Sequence, residues 1–168
     1  MTASPARRFR FRHEAVAGDS GPLRGILSST GVFFPFEIDV AIELLEDRLE
    51  YGDDSPYSFI FCELDNRLIG YICFGPICMT DNRFDLYWIA VDKGLQGTGI
   101  GKLLLEKAEQ SARETGGVFM YVETSGRDDY LKTRHFYENQ GYLEVACIRD
   151  FYRDGDDKII LAKKLTRG

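Results

Sequence analysis

The chain has 168 residues, 44% hydrophobic and 29% charged, with a formal charge of −6. That suits one folded domain with a substantial core and excludes a disordered, collagen-like or disulfide-framework chain. A general nucleic-acid binder would carry the opposite sign or a strong basic block, and neither is present.

Residues 1–7 are expected to be loose, and residues 8–168 to form a single domain. The arginines of MTASPARRFRFRHEA have no apolar stretch of signal-peptide length behind them. No apolar run approaches the roughly 18 to 20 residues that cross a bilayer, so a cytoplasmic protein without a membrane partner is expected. Phe9, Phe11 and His13 alternate with Arg10 and Arg12, the period of a strand. Gly18-Asp19-Ser20-Gly21-Pro22 reads as a turn opening a helix with the apolar stripe Leu23, Ile26 and Leu27. A second helix is predicted over about 36–51, with Ile38, Ile42, Leu45 and Leu49 on one face. Segment 37–54 carries eight acidic residues against the single Arg48, which reads as an amphipathic helix with a solvated charged face, the alternative being a surface that attracts a cationic amine, polyamine or basic peptide.

Residues 57–64 and 68–79 read as strands joined by Asp65-Asn66-Arg67, and DLYWIAVD at 85–92 as an interior strand. A helix follows, with Ile100, Leu103, Leu104, Ala108 and Ala112 as its expected buried stripe, stopped by Gly116-Gly117. Residues 118–123 read as a strand, about 131–140 as a helix, and about 142–152 and 158–165 as two last strands around Asp154-Gly155-Asp156. The order β, α, α, β, β, β, α, β, α, β, β implies an α+β (α/β three-layer) sheet. Cys62, Cys73, Cys78 and Cys147 lack metal-ligand spacing and fall in segments read as strands, so buried thiols are expected. With only His13 and His135 available, no metal site is expected.

The turn Gln96-Gly97-Thr98-Gly99-Ile100-Gly101 lies between a strand and a helix start. Glycines at alternate positions let the backbone approach a ligand, and the helix N-terminus suits an anionic phosphate. Neither the P-loop spacing nor the dinucleotide fingerprint is met, since Lys102 stands where the latter needs glycine.

This turn, following Ile89-Ala90-Val91-Asp92, resembles the [Gln/Arg]-x-x-Gly-x-[Gly/Ala] motif of the GNAT superfamily of N-acetyltransferases. Phe136-Tyr137-Glu138-Asn139-Gln140-Gly141-Tyr142 resembles that family's second block. The resemblance implies a GNAT fold: a mixed, mostly antiparallel seven-stranded sheet flanked by about four helices. It further implies acetyl-CoA as the acyl donor, with Gln96, Gly97, Thr98, Gly99, Ile100, Gly101 and Lys102 at its phosphates. Ile89, Ala90 and Val91 would offer backbone groups to the pantetheine arm, which inserts like an extra strand at a splayed edge.

Within the family, the motif pattern is most similar to the ribosomal-protein alanine N-acetyltransferases. That likeness implies Glu123, at the end of its strand, as general base and Tyr137 as the acid for the departing thiol. Asp85, Glu63 and Glu144 are rival bases. The sequence departs from the family pattern at Gly97, where arginine is common, and at Tyr130, where asparagine is common. Phe33, Phe36, Asp85 and Tyr152 are candidate acceptor contacts, among a wider aromatic set with Phe34 and Phe151. A primary amine acceptor, as small molecule or peptide, is expected, and so is direct attack. The alternative is a non-catalytic acyl-CoA sensor on the same fold. A homodimer through a sheet edge or the last hairpin stays open on the sequence.

Overall fold

A computed structural model describes residues 9–165; the segment expected to be loose, 1–7, lies outside the described residues. The strands are β1 (Phe9–Arg12), β2 (Ser58–Leu64), β3 (Arg67–Pro76), β4 (Arg83–Val91), β5 (Phe119–Ser125), β6 (Leu143–Arg153) and β7 (Asp156–Lys164). The α-helices are α1 (Ser20–Thr30), α2 (Pro35–Tyr51), α3 (Ile100–Glu114) and α4 (Leu131–Asn139). One seven-stranded sheet runs in the order β1-β2-β3-β4-β5-β7-β6. Its strand pairs are antiparallel except β4 with β5, which is parallel.

The sheet buries both faces, so its central strands are apolar almost throughout; β3 is buried from Leu68 to Gly75. On one face α3 packs Ile100, Leu104, Leu105, Ala108 and Ala112 against Ile60, Ile72, Leu86 and Val122. On the other, α1 and α2 bring Leu23, Leu27, Ile42 and Leu45 onto Phe59, Phe61, Tyr71 and Cys73. Each such leucine is worth about 2 kcal/mol of transfer free energy. The α3 stripe differs from expectation at one place: Leu103 is 40% exposed and Leu105 is buried. Leu105 lies a single position from Leu104 and Ala108 lies three further on, a phase that turns Leu103 toward solvent.

The β2–β3 turn is two residues long, Asp65 and Asn66, both left-handed at φ 51° and 62°. That conformation matches a type I′ hairpin and leaves Arg67 in β3. Two cysteine expectations fail. Cys62 and Cys73 are buried, but Cys78 lies exposed in the loop after β3 and Cys147 is exposed on β6. β6 is the outer strand of the sheet, so alternation there does not imply burial.

Two buried ion clusters tie the layers together. Arg12 of β1 bridges Asp19, at 2.7 Å, and Glu63 of β2, at 2.9 Å. Glu109 of α3 is 3% exposed and accepts from Lys163 of β7 at 2.8 Å and from the Tyr142 hydroxyl at 3.2 Å.

Candidate active site

The parallel β4–β5 ladder stops at the pair Leu86–Val122. Beyond that rung the strands part, and a cavity of about 1250 Å³ opens between them. It reaches from the α3 start to the α1–α2 connection and the β6–β7 hairpin. Ligands in sheets of this kind gather at the C-terminal ends of parallel strands.

At the α3 end, Gly97 and Gly99 adopt φ 77° and 90°, and a Cβ at either would project into open space. Gly99 caps α3 without a side-chain hydrogen bond, so the first N–H groups of the helix stay unpaired among the described residues. Gln96 is fixed by a 3.3 Å bond from its side-chain amide to the Val91 carbonyl, and the Thr98 hydroxyl donates to Leu95 O at 2.6 Å. Gln96, Gly97, Gly99, Gly101 and Lys102 line the cavity. Ile100 is 1% exposed and anchors the turn in the core, and neither Ile100 nor the exposed Thr98 lines the cavity. The Lys102 ammonium is exposed and lies 3.8 Å from Glu106. Open backbone donors at a helix N-terminus fit a pyrophosphate. Ile89, Ala90 and Val91 line the same cavity beyond the last β4–β5 rung.

Tyr137, on α4, lines the middle of the cavity. It is 3% exposed and wedged edge-on between Phe136 and Tyr142, with centroids 5.2 and 5.5 Å away. Burial raises its phenol well above the ordinary value, so at neutral pH it holds its proton and can donate it.

Asp85 and Glu123 also line the cavity, on neighbouring strands at the point of parting. Glu123 Oε2 receives Lys158 Nζ at 2.6 Å. Asp85 has neither a hydrogen bond nor an ion pair among the described residues; burial and then the Glu123 charge raise its carboxyl from 3.8 to about 6, while Lys158 pulls the other way. The rival Glu63 is held by Arg12, and Glu144 is exposed on the outer strand; neither lines the cavity.

The far wall is aromatic. Phe33, Phe36 and Tyr152, the candidate acceptor contacts, line it, with Phe34 stacked on Phe36 at 5.7 Å. Phe151 does not line it and instead covers the Lys158 ammonium at 3.8 Å. Of the acidic residues of α2 only Glu37 lines the cavity, and its carboxylate accepts the Phe34 N–H at 2.7 Å. The expectation of a solvated charged face therefore fits the rest of α2. Glu123, Asp156 and Glu37 surround the Tyr152 phenol, which burial first and these charges second raise to about 12. Tyr130 sends its hydroxyl to the Val32 carbonyl at 3.4 Å and closes that side.

Tyr57, Tyr87, Trp88, Thr124, Arg127 and Arg153 line the cavity without having been singled out in the sequence. A β-bulge explains two of them. Cys73 pairs with Trp88 but Phe74 with Leu86, so Tyr87 is the extra residue and both aromatics pack toward α1 and α2. Gly75, opposite Asp85, lets the Pro56 backbone cross it, which sets Tyr57 edge-on to Tyr87 at 5.3 Å.

Residues 27–142 match the acetyltransferase (GNAT) family. The chain belongs to that family. It is a GNAT N-acetyltransferase with the seven-stranded, four-helix fold of its relatives. A GNAT-family protein of Desulfovibrio desulfuricans is 40% identical over 95% of this chain and 100% of its own, with a TM-score of 0.92. An aminoglycoside 6′-N-acetyltransferase solved with coenzyme A shares the fold at 18% identity and a TM-score of 0.77, over 95% and 98% of the chains. So does the ribosomal-protein-S18-alanine N-acetyltransferase of Escherichia coli, at 18% identity and 0.76, over 96% of each chain. The last is of the group that the motif pattern resembles. Among the described residues no helix of this GNAT enzyme is long and apolar enough to cross a membrane.

Proposed function

We propose that this enzyme transfers an acetyl group from acetyl-CoA to a primary amine by direct attack, without a covalent enzyme intermediate. One observation carries the reading: a single cavity joins an open helix-start cradle, a buried protonated tyrosine and a carboxylate pair. The cradle of residues 96–102 suits the pyrophosphate of the donor, and coenzyme A in a protein of the same fold supports that choice. The backbone of 89–91, left unpaired with β5, suits the pantetheine arm.

An alkylamine with a pKa of about 10.4 is almost wholly protonated near neutrality, and losing that proton at pH 7 costs roughly 4 to 5 kcal/mol. The Asp85–Glu123 pair receives it. Glu123 is the base that the family resemblance implies, but its charge is engaged by Lys158, whereas Asp85 at about 6 is better matched to accept a proton near neutrality. The amine lone pair then attacks the thioester carbonyl; as the carbon–sulfur bond breaks the thiolate takes the Tyr137 proton, and the surplus proton on the newly acylated nitrogen returns to the Tyr137 oxygen, which restores the phenol.

Thiol release from acetyl-CoA across an amine panel, with Tyr137→Phe beside it, tests the reading. Amine-dependent release that falls in the variant is expected. Coenzyme A binding without release for any amine would instead favour an acyl-CoA sensor.

A further inference from the structure

The acceptor end of the cavity is walled by ring faces, and its charged groups are almost all paired within the protein. Tyr57 meets Tyr87 edge-on at 5.3 Å, and Phe33 meets Trp88 at 5.2 Å. All four are half-buried and line the cavity. Among the acids there, Glu37 caps α2, Glu123 is paired with Lys158, and Asp129 holds Arg127 at 2.9 Å. Asp156 takes the Ser125 hydroxyl at 2.5 Å and lies within 4 Å of Arg127 and Arg153. Asp85 alone among these acids has no partner, and it sits next to the ring wall on the strand that carries Tyr87 and Trp88.

A second group in the cavity also lacks a partner. The Thr124 hydroxyl is on a residue only 6% exposed, has no hydrogen bond among the described residues, and lines the same space. Buried hydroxyls are nearly always satisfied, so this one is open to a water or a bound molecule. Alternation along β5 puts it on the face opposite Glu123, the side of Tyr137 and the acyl donor.

We propose that the acceptor is an aralkylamine: one ammonium on a short chain attached to a flat aromatic body. The ammonium meets Asp85, and the ring packs among Tyr57, Tyr87, Phe33 and Trp88. Edge-to-face contacts of this kind favour an aromatic over an alkyl body of equal polarity. A polyamine would carry further ammonium groups past carboxylates that are already paired, and a peptide would bury backbone groups against rings that offer no partner. This inference rests on the acetyl-transfer reading of the cavity.

Trp88 is the only tryptophan of the chain and lies in this wall, so its fluorescence reports acceptor binding without turnover. The test titrates 2-phenylethylamine into the full chain with coenzyme A present, beside butylamine, spermidine and a tripeptide with a free alanine N-terminus. The expected result is a saturable change with phenylethylamine, at a Kd at least about tenfold below those of the other amines. Asp85→Asn, isosteric and checked for folding by circular dichroism, should weaken that binding about tenfold. No saturable change, or equal or tighter binding of butylamine, spermidine or the peptide, overturns the proposal. Thiol release is followed separately. Ring-selective binding with no release for any amine sinks the transfer reading and leaves the ring site standing; release with spermidine or the peptide alone sinks the ring site and leaves the transfer reading standing.

Discussion

Lys158 Nζ lies 2.6 Å from Glu123 Oε2, and this ion pair decides which of two adjacent acids is left free. The ammonium is 12% exposed and covered by the Phe151 ring, so it is poorly screened and also acts on Asp85, whose carboxyl it pulls downward. Lys158→Met removes that positive charge and disfavours the carboxylate of Asp85. The acidic limb of the kcat/KM profile is therefore expected to move to higher pH. A limb that stays in place would take Asp85 out of the proton path.

Asp85 also costs the enzyme stability. Its folded value of about 6 lies above the ordinary 3.8, so folding favours the protonated form. Its contribution is fully present below about pH 4 and is lost as the pH rises through about 6. The gap corresponds to about 3 kcal/mol before screening, and to about 1–2 kcal/mol for a carboxylate that is only partly buried. Asp85→Asn should raise the unfolding free energy by that amount at pH 7 and scarcely at pH 4, measured by urea denaturation at the two values.

Gly99→Glu should abolish coenzyme A binding in calorimetry. The residue sits at φ 90° in the open mouth of the cradle, so the substitution adds backbone strain and a negative charge together. Near-normal affinity would move the phosphate site elsewhere.

The sequence made the cradle legible because its chemistry is local: alternate glycines, one helix start, one preceding strand. The helices and strands were legible for the same reason, with boundaries shifted by a few residues, as where Arg67 proved to be strand. The acceptor wall was not legible. Tyr57, Tyr87 and Trp88 converge only through a bulge between β3 and β4 and through the passage of Pro56 over Gly75. A period of two along β4 would have sent Tyr87 and Trp88 to opposite faces. The partner of Glu123 was equally hidden, because Lys158 reaches it across the β5–β7 ladder from 35 positions along the chain. Exposure of Cys147 follows from the place of β6 outside β7, a fact of strand order.

Tyr137→Phe should lower kcat about a hundredfold, the usual size of a lost general acid, with the coenzyme A affinity nearly unchanged. The ring keeps its packing between Phe136 and Tyr142, so thermal stability serves as the control. Unchanged turnover would remove the acid role.

Glu109→Gln probes the scaffold behind the cradle. The carboxylate is 4% exposed at the side chain and binds Lys163, with Tyr142 and Arg113 close by. Removing its charge leaves the Lys163 ammonium, 27% exposed, without its counter-ion, at a cost of about 3 kcal/mol in chemical denaturation. A loss below about 0.5 kcal/mol would show the cluster to be energetically idle.

The early end of the β4–β5 ladder has a mechanical consequence. Past Leu86 and Val122 no backbone bond holds the two strands together, so the sheet is in effect two leaves, β1 to β4 and β5 to β7, joined at one end of a seam. A donor whose arm threads that seam would lace the leaves shut. The amide protons of Ile89 and Val91, which alternation turns toward the seam, would then exchange with solvent far more slowly in the loaded enzyme, and protection there would register occupancy before any chemistry takes place.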